Sequence, residues 1–538
     1  MAERLLGVET EYALTGFDAG GKPLDRGLVL RHLMRVARDR YPHLTDTTGR
    51  GVFLANGARF YIDVPDHPEF TTPECPSPWD AVRYIHAGER ILAGLAADVR
   101  GPRIREVVIL RSNVDYSGTG STWGTHESFQ HRSPPSTLPP QIIPHLVSRI
   151  IYTGAGGFDS RFVCGIRFTL SSRVPHLEAE VSEESTHWRG IFHTKDETLS
   201  RDGYHRLHIL CGESVCSDIS ALLKIGTTAL VVALIEAGLR PGDAVQLQAP
   251  LAAMRGFAGD PTCRATALST TGTPLTALEI QRHYLEMAEA HLEAPSMPSW
   301  AGQVCDEWRA MLCALEAAPD SVATTLDWAI KLALFKSRAR QHSIAWEALP
   351  HWNHVVTKLS EALRRAGVTD QRPSVDVILD ECGPVADEVR RLTPYLRAHG
   401  LRWDDLRTFI HLRQELFEID TRFGQLGDAG IFAHLDSAGV LAHRVAGIDN
   451  IEHAMEHPPT IGRAGLRGRY VRELGGSGKR YECDWYGIWD HHKHLVLDLS
   501  DPFAASAQWQ SYYVADEEIS FDDDIQLCWL PRRTSVPF

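Results

Sequence analysis

The segment GVETEY at residues 7–12 sets two glutamates, Glu9 and Glu11, two positions apart. In a strand, successive side chains alternate faces, so both carboxylates project to one side while Val8, Thr10 and Tyr12 project to the other. Taken alone, such a pair is what a solvated antiparallel face carries, since glutamate is usually exposed. A second segment, NGARFYIDVPDHPEFTTPEC at 56–75, changes the reading. As a strand it sends Arg59, Tyr61 and Asp63 one way and Phe60, Ile62 and Val64 into a core. A cation, a phenol and a carboxylate then line one face. Asp66, His67, Glu69 and Glu74 follow in a Pro-punctuated loop as a further acidic cluster. Hard cations such as Mg2+ take a few carboxylate oxygens of this kind and leave their remaining positions to water and nucleotide phosphates.

A third segment, NVDYSGTGSTWGTHESF at 113–129, carries Gly118, Gly120 and Gly124, which permit close approach to a ligand, and then His126 and Glu127. It is not a Walker A loop, because GxxxxGK[ST] is absent. Arg173, Lys195 and Arg206 stand near predicted strand ends. Such cations stabilise charge on a transferred phosphate, although any one of them is equally at home on a solvated face. There is no GxSxG elbow and no HExxH, and DHHKH at 490–494 lacks the cysteine spacing of a zinc site and reads as a solvated turn.

These residues need strands to carry them and helices to back the strands. Residues 5–13, 51–65, 105–114 and 162–171 have apolar and β-branched runs bounded by Gly, Asn, Asp or Pro, which predicts strands. Between them, 77–99 repeats apolar residues at three and four, with Ser77 as N-cap before Pro78. Residues 218–238 form an apolar core helix, and 276–427 read as helical almost throughout. After 445 a glycine-rich GGSG and the alternating HKHLVLDLSDPF predict a small α/β domain, followed by an acidic and then Pro/Arg-containing tail.

The chain has 538 residues, with 43% hydrophobic and 23% charged, which excludes a mainly disordered, collagenous or coiled-coil protein. Lys plus Arg total 55 against 69 for Asp plus Glu; the net charge of -14 argues against broad attraction to nucleic acid or an anionic membrane. No run approaches the ~18 apolar residues of a membrane span, and the expectation is a cytoplasmic protein. The ten cysteines form no CxxC pair and are read as reduced, mostly buried thiols.

Together, GVETEY, NGARFYID, DHPEFTTPEC, DAVRYIHAGERIL, NVD with GTHESF, YHRLHIL, KIGTTALVVALIEAG and a late CDW resemble one known family. It is the Pup ligase and Pup deamidase (depupylase) family, a branch of the glutamine synthetase-like carboxylate-amine ligases. The resemblance runs in the same order over residues 1–345 and 412–506. It implies an α+β fold, an antiparallel sheet cradle backed by helices. Residues 1–445 would be the catalytic domain with 350–410 as an inserted helical subdomain, 446–506 a small C-terminal domain and 507–538 an extension. The implied enzyme uses ATP and Mg2+ on the side-chain carboxylate of the C-terminal Glu of a small, mostly disordered ubiquitin-like (Pup-like) modifier. Its other partner is a lysine-bearing protein, with no nucleic acid and no membrane. Carried over by motif, Glu9, Tyr61 and Glu69 would hold Mg2+, with His126 grouped among the metal ligands. Arg59, Thr72 and Trp485 would contact ATP, with Arg206 grouped beside them, and Asp63 would be the catalytic carboxylate.

Ligases of this family phosphorylate the carboxylate and couple it to lysine, whereas the deamidases convert a terminal Gln to Glu and cut the isopeptide bond. GTHE and GTTALV resemble the deamidases and Cys75 the ligases. The long deamidase insertion is missing, since only residues 13 to 55 separate Tyr12 from Asn56. The weight falls on a ligase. A deamidase or depupylase, a ligase for a small molecule or peptide, and a catalytically silent modifier-binding protein stay open. Ser128 stands where the family usually has Asn, and His193 to Thr198 replace Asn-Thr-Arg-Asp-Glu-Pro, so that Lys195 gives up the bidentate phosphate recognition of Arg.

Overall fold

The computed structural model describes residues 4–512, leaving aside 65, 100, 102, 163–164, 184–187, 194–198, 202, 366–386, 388–389 and 443. Lys195, the Thr194–Thr198 segment, much of the expected insertion and the tail beyond 512 lie outside the described residues.

Thirteen described strands build one sheet. The first five are β1 (Leu6–Glu11), β2 (His43–Asp46), β3 (Gly51–Leu54), β4 (Arg59–Asp63) and β5 (His67–Thr71). The middle of the chain adds β6 (Thr125–His131), β7 (Ala179–Val181), β8 (Gly190–His193) and β9 (His205–Ile209). The end adds β10 (Tyr481–Cys483), β11 (Gly487–Asp490), β12 (Leu495–Asp498) and β13 (Trp509–Ser511). Their order across the sheet is β7-β8-β9-β6-β1-β5-β4-β3-β2-β10-β11-β12-β13. Pairing is antiparallel except between β7 and β8 and between β2 and β10. The boundaries expected at 445 and 506 therefore fall within a continuous sheet, to which the C-terminal strands, β13 included, are added at one side.

Two departures from the expected strands have local causes. His67–Thr71, expected as loop, is strand β5, because a left-handed turn at Asp66 (φ 74°), whose N–H donates to the Asp63 carbonyl at 2.7 Å, folds it back onto β4. Among the described residues of 162–171, expected as a strand, only Phe168–Thr169 pairs as a strand, with Gly157–Phe158. The Ile166 backbone instead donates to Asn353 Oδ1 and accepts from Asn353 Nδ2, both at 2.8 Å, so an amide side chain replaces a strand partner.

Helix α1 (Pro78–Asp98) starts as predicted: Ser77 Oγ accepts from the Asp80 N–H at 3.1 Å, and Pro78 occupies the first turn, where a missing N–H costs nothing. Gly88 lets it settle on the sheet, since a Cβ there would lie 2.4 Å from the Phe70 ring of β5. Fully burying Phe60 and Phe70 under this helix contributes about 2–3 kcal/mol each. Against the expectation that no run approaches a membrane span, helix α2 (Asp218–Glu236) has the length and apolarity of one, but 94% of its apolar window is buried inside the fold. Leu349–Arg365, in the expected insertion, and Trp403–Phe423, which runs past its expected end at 410, stack Trp352 on Phe409 at 5.1 Å and share a core with Phe158 and Phe335. Among the described cysteines, Cys313 is exposed and the rest are buried free thiols.

Candidate active site

Strand alternation and register together make the site. Glu9 pairs with Thr71 on one side and His126 on the other, and Arg59 pairs with Thr71, giving a cross-strand row Arg59, Thr71, Glu9, His126. Tyr61, Glu69 and Glu11 form the next row, and Asp63 lies opposite His67 beyond it. On the far side Ser128 faces His208. Val8, Phe60, Phe70, Phe129 and Leu207 point the other way into the core.

Two groups of metal-ligating atoms result, each with its members within 4.8 Å of one another: Glu9, His126 and His208, and Glu11, Asp63 and Glu69. His126 Nδ1 lies 2.9 Å and His208 Nε2 3.4 Å from Glu9 Oε1, while Ser128 Oγ holds His208 Nδ1 at 3.0 Å. Burial opposes the Glu9 charge, but hydrogen bonds from His126 and His208 hold its carboxyl well below the usual range. Burial lowers His208 to about 4, which leaves a neutral imidazole able to ligate. Burial and then the charges of Glu9 and Glu11 push Glu69 well above the carboxylate range. Asp63 is raised by burial, with Glu11 and Glu9 adding to it, and the Tyr61 phenol is raised by burial and by Glu69. Carboxylates crowded this way call for a cation, and an all-oxygen group beside a mixed carboxylate and imidazole group fits divalent ions such as Mg2+.

Beside these groups a cleft of about 240 Å3 is lined by Gly7, Glu9, Arg59, Tyr61, Thr72, Arg206 and Trp485. Arg59 is clamped by Asp46 at 3.1 and 2.6 Å and lies 3.9 Å from the Tyr61 ring centre. Trp485 meets Phe53 edge-on at 5.1 Å and carries Arg467 4.6 Å from its ring. Thr72 is buried, and its hydroxyl accepts from the Val8 N–H at 3.1 Å, so its side chain shapes the β1 backbone at the cleft floor.

The acidic cluster expected in the loop after Asp63 is dispersed. Glu69 joins the site, His67 packs against Trp123 at its rim, and Asp66 stands exposed at the hairpin turn. Glu74 turns inward between Arg463 and Arg467. Glu127 likewise points into the core, where Arg149 grips it at 2.9 and 2.6 Å, while its neighbour His126 faces the cleft. In the glycine-rich loop, the Gly124 N–H donates to Glu11 Oε2 at 2.7 Å. A Cβ at Gly124 would lie 2.8 Å from His126 Nε2 and 2.9 Å from Arg173 Nη2, so both approach only because it is absent. Glu11 and His208, neither among the ligands expected from sequence, stand in these two groups: Glu11 shares a face with Glu9, and His208 stands two residues from Arg206, the spacing that marks a shared strand face.

Comparison with known proteins adds an independent line. The family described as Pup-ligase protein matches residues 4–355 and 388–489. A Pup–protein ligase of Acidimicrobium ferrooxidans is 31% identical over 518 residues, covering 94% of this chain and 97% of the relative. A Pup deamidase/depupylase of Mycolicibacterium smegmatis is 36% identical over 306 residues, covering 55% of this chain and 60% of the relative. Among solved structures, the complex between the prokaryotic ubiquitin-like protein Pup and its ligase PafA shares the fold, with a TM-score of 0.70 at 24% identity over 94% of this chain and 89% of that one.

Proposed function

Because the chain belongs to the Pup-ligase protein family, we propose that it is an ATP-dependent ligase joining the C-terminal glutamate of a small Pup-like modifier to a lysine of a target protein. A carboxylate is a poor electrophile. The modifier's side-chain carboxylate takes the γ-phosphoryl group of ATP, releasing ADP, and the lysine amine, once deprotonated, attacks the acyl carbon of the acyl phosphate, forming the amide bond as inorganic phosphate leaves.

Arg59 and Arg206 meet the phosphates, and Trp485 borders the nucleotide, with Thr72 holding the β1 backbone that floors the cleft. Glu9, His126 and His208 would hold one cation, and Glu11 and Glu69 with Tyr61 another, and Mg2+ bound there would neutralise the crowded phosphate oxygens. Asp63, at the open end of the carboxylate rows, removes the proton from the incoming lysine ammonium.

The observation that carries this reading is the single cleft that brings Glu9, Arg59, Tyr61, Thr72, Arg206 and Trp485 together beside the Glu11, Asp63 and Glu69 carboxylates. The test incubates the protein with ATP, Mg2+ and a modifier ending in Glu, beside a preformed modifier–lysine conjugate, and follows both by intact mass with Asp63→Asn as control. A covalent adduct that the control fails to form supports the ligase. Cleavage of the conjugate selects the second reading, a deamidase or depupylase, which the 36% identity to such an enzyme favours. Modifier binding without ATP or Mg2+ binding would leave a silent binding protein.

A further inference from the structure

Away from the cleft, the His399 ring lies beside those of His351 and His354 on the helices of the insertion. His351 and His354 are exposed and stand three residues apart on the first two turns of Leu349–Arg365, where that spacing puts side chains on one face. His399 caps the short helix Thr393–Ala398. Its ring centre lies 5.6 Å from that of His351 and 6.1 Å from that of His354.

His399 is held in place. Its Nδ1 is 2.8 Å from the Tyr395 carbonyl, and the Tyr395 ring packs 4.2 Å away. A carbonyl only accepts, so Nδ1 carries the proton and Nε2 keeps its lone pair. An imidazole donating one nitrogen to a backbone carbonyl is oriented as metal ligands usually are. Three imidazoles on one tetrahedral zinc, bound at about 2.0–2.1 Å, hold their ring centres roughly 5 Å apart. Both separations from His399 are larger by about 1 Å or less; as they stand the ring nitrogens of the three do not all lie within 4.8 Å of one another, and side-chain rotation at exposed His351 and His354 would bring them together.

We propose that His351, His354 and His399 bind one divalent transition cation, of which zinc is the type, with solvent completing its coordination. An all-imidazole set suits zinc, nickel and copper, whereas Mg2+ favours sites that offer carboxylate oxygens, so this ion would differ in kind from the one drawn to the carboxylate cleft. Bound there, it would staple Leu349–Arg365 to Thr393–Ala398.

The experiment uses the full chain without a histidine tag, in excess Mg2+ to fill the cleft, and titrates zinc calorimetrically. The same titration is run on the triple variant His351→Gln, His354→Gln, His399→Gln and on His354→Gln alone. The expected result is one more zinc per wild-type chain than per triple variant, with the single variant at least roughly tenfold weaker. Zinc should raise the melting temperature of the wild type only, and equal melting temperatures in chelator show that the variants fold. If the triple variant does not fold, affinity in the single variant decides. Equal zinc stoichiometry and affinity in the wild type and the folded variants would overturn the proposal.

Discussion

Glu74→Gln leaves the buried guanidiniums of Arg463 and Arg467 facing a neutral amide. In the native chain Arg463 Nε donates to Glu74 Oε1 at 2.5 Å and Arg467 Nη2 donates to Oε2, with both arginines fully buried. The pair ties the helix Arg463–Leu474 to the sheet, and Arg467 in turn lies against Trp485 in the cleft. Burial opposes the Glu74 charge, but Arg467 and Arg463 bring its pKa from 4.5 down to about 2. At 1.36 kcal/mol for each factor of ten, that displacement corresponds to about 3 kcal/mol, the lower end of the cost of breaking a buried ion pair. The folded pKa lies below the unfolded one, so this stability is complete above about pH 4.5 and is lost as pH falls toward about 2. The variant should therefore speed amide exchange across Arg463–Leu474 by about a hundredfold at neutral pH and weaken ATP binding as Trp485 loses its support. It should also flatten the acid limb of the stability profile. Exchange within about threefold of wild type, together with unchanged ATP affinity, would refute the reasoning.

Gly124→Ala should drive His126 away from Glu9 and lower turnover by about a hundredfold, the usual cost of a 1 Å misplacement, while ATP affinity measured by titration holds. Turnover close to wild type would show that the loop yields. Glu69→Gln relieves the repulsion among Glu9, Glu11 and Glu69. Without metal its melting temperature should rise, and the Mg2+ concentration for half-maximal activity should increase at least roughly tenfold. His86 bridges α1 and α2, with Nε2 2.7 Å from Asp218 and Nδ1 3.0 Å from Glu89. Burial opposes its charge, yet Asp218 and Glu89 raise its pKa to about 9. Its contribution of about 3 kcal/mol is thus complete below about pH 6.5 and lost as pH rises through about 9, a slope that urea midpoints should show and His86→Gln should remove.

Within β1, β4 and α1 the sequence was a sufficient guide. Alternation placed Glu9 with Glu11, and Arg59 with Tyr61 and Asp63, on one face each, because strand geometry is local. Ser77 and Pro78 marked the start of α1 because capping needs only the next few residues. The family motifs named Trp485, and a predicted strand end Arg206, both far from β1 in sequence, and both line the cleft. Tertiary structure decided which faces met. The row Arg59, Thr71, Glu9, His126 exists only through the register of β4, β5, β1 and β6, which no single segment encodes. Glu69 and Glu74 are the same residue type five positions apart, yet one joins the acidic site and the other an internal ion pair. Their difference lies in partners: Glu69 faces Glu11 across β1, whereas Glu74 meets arginines almost 400 residues away. A carboxylate's energy is set by the charges and solvent around it, and those are fixed only when distant parts of the chain pack together.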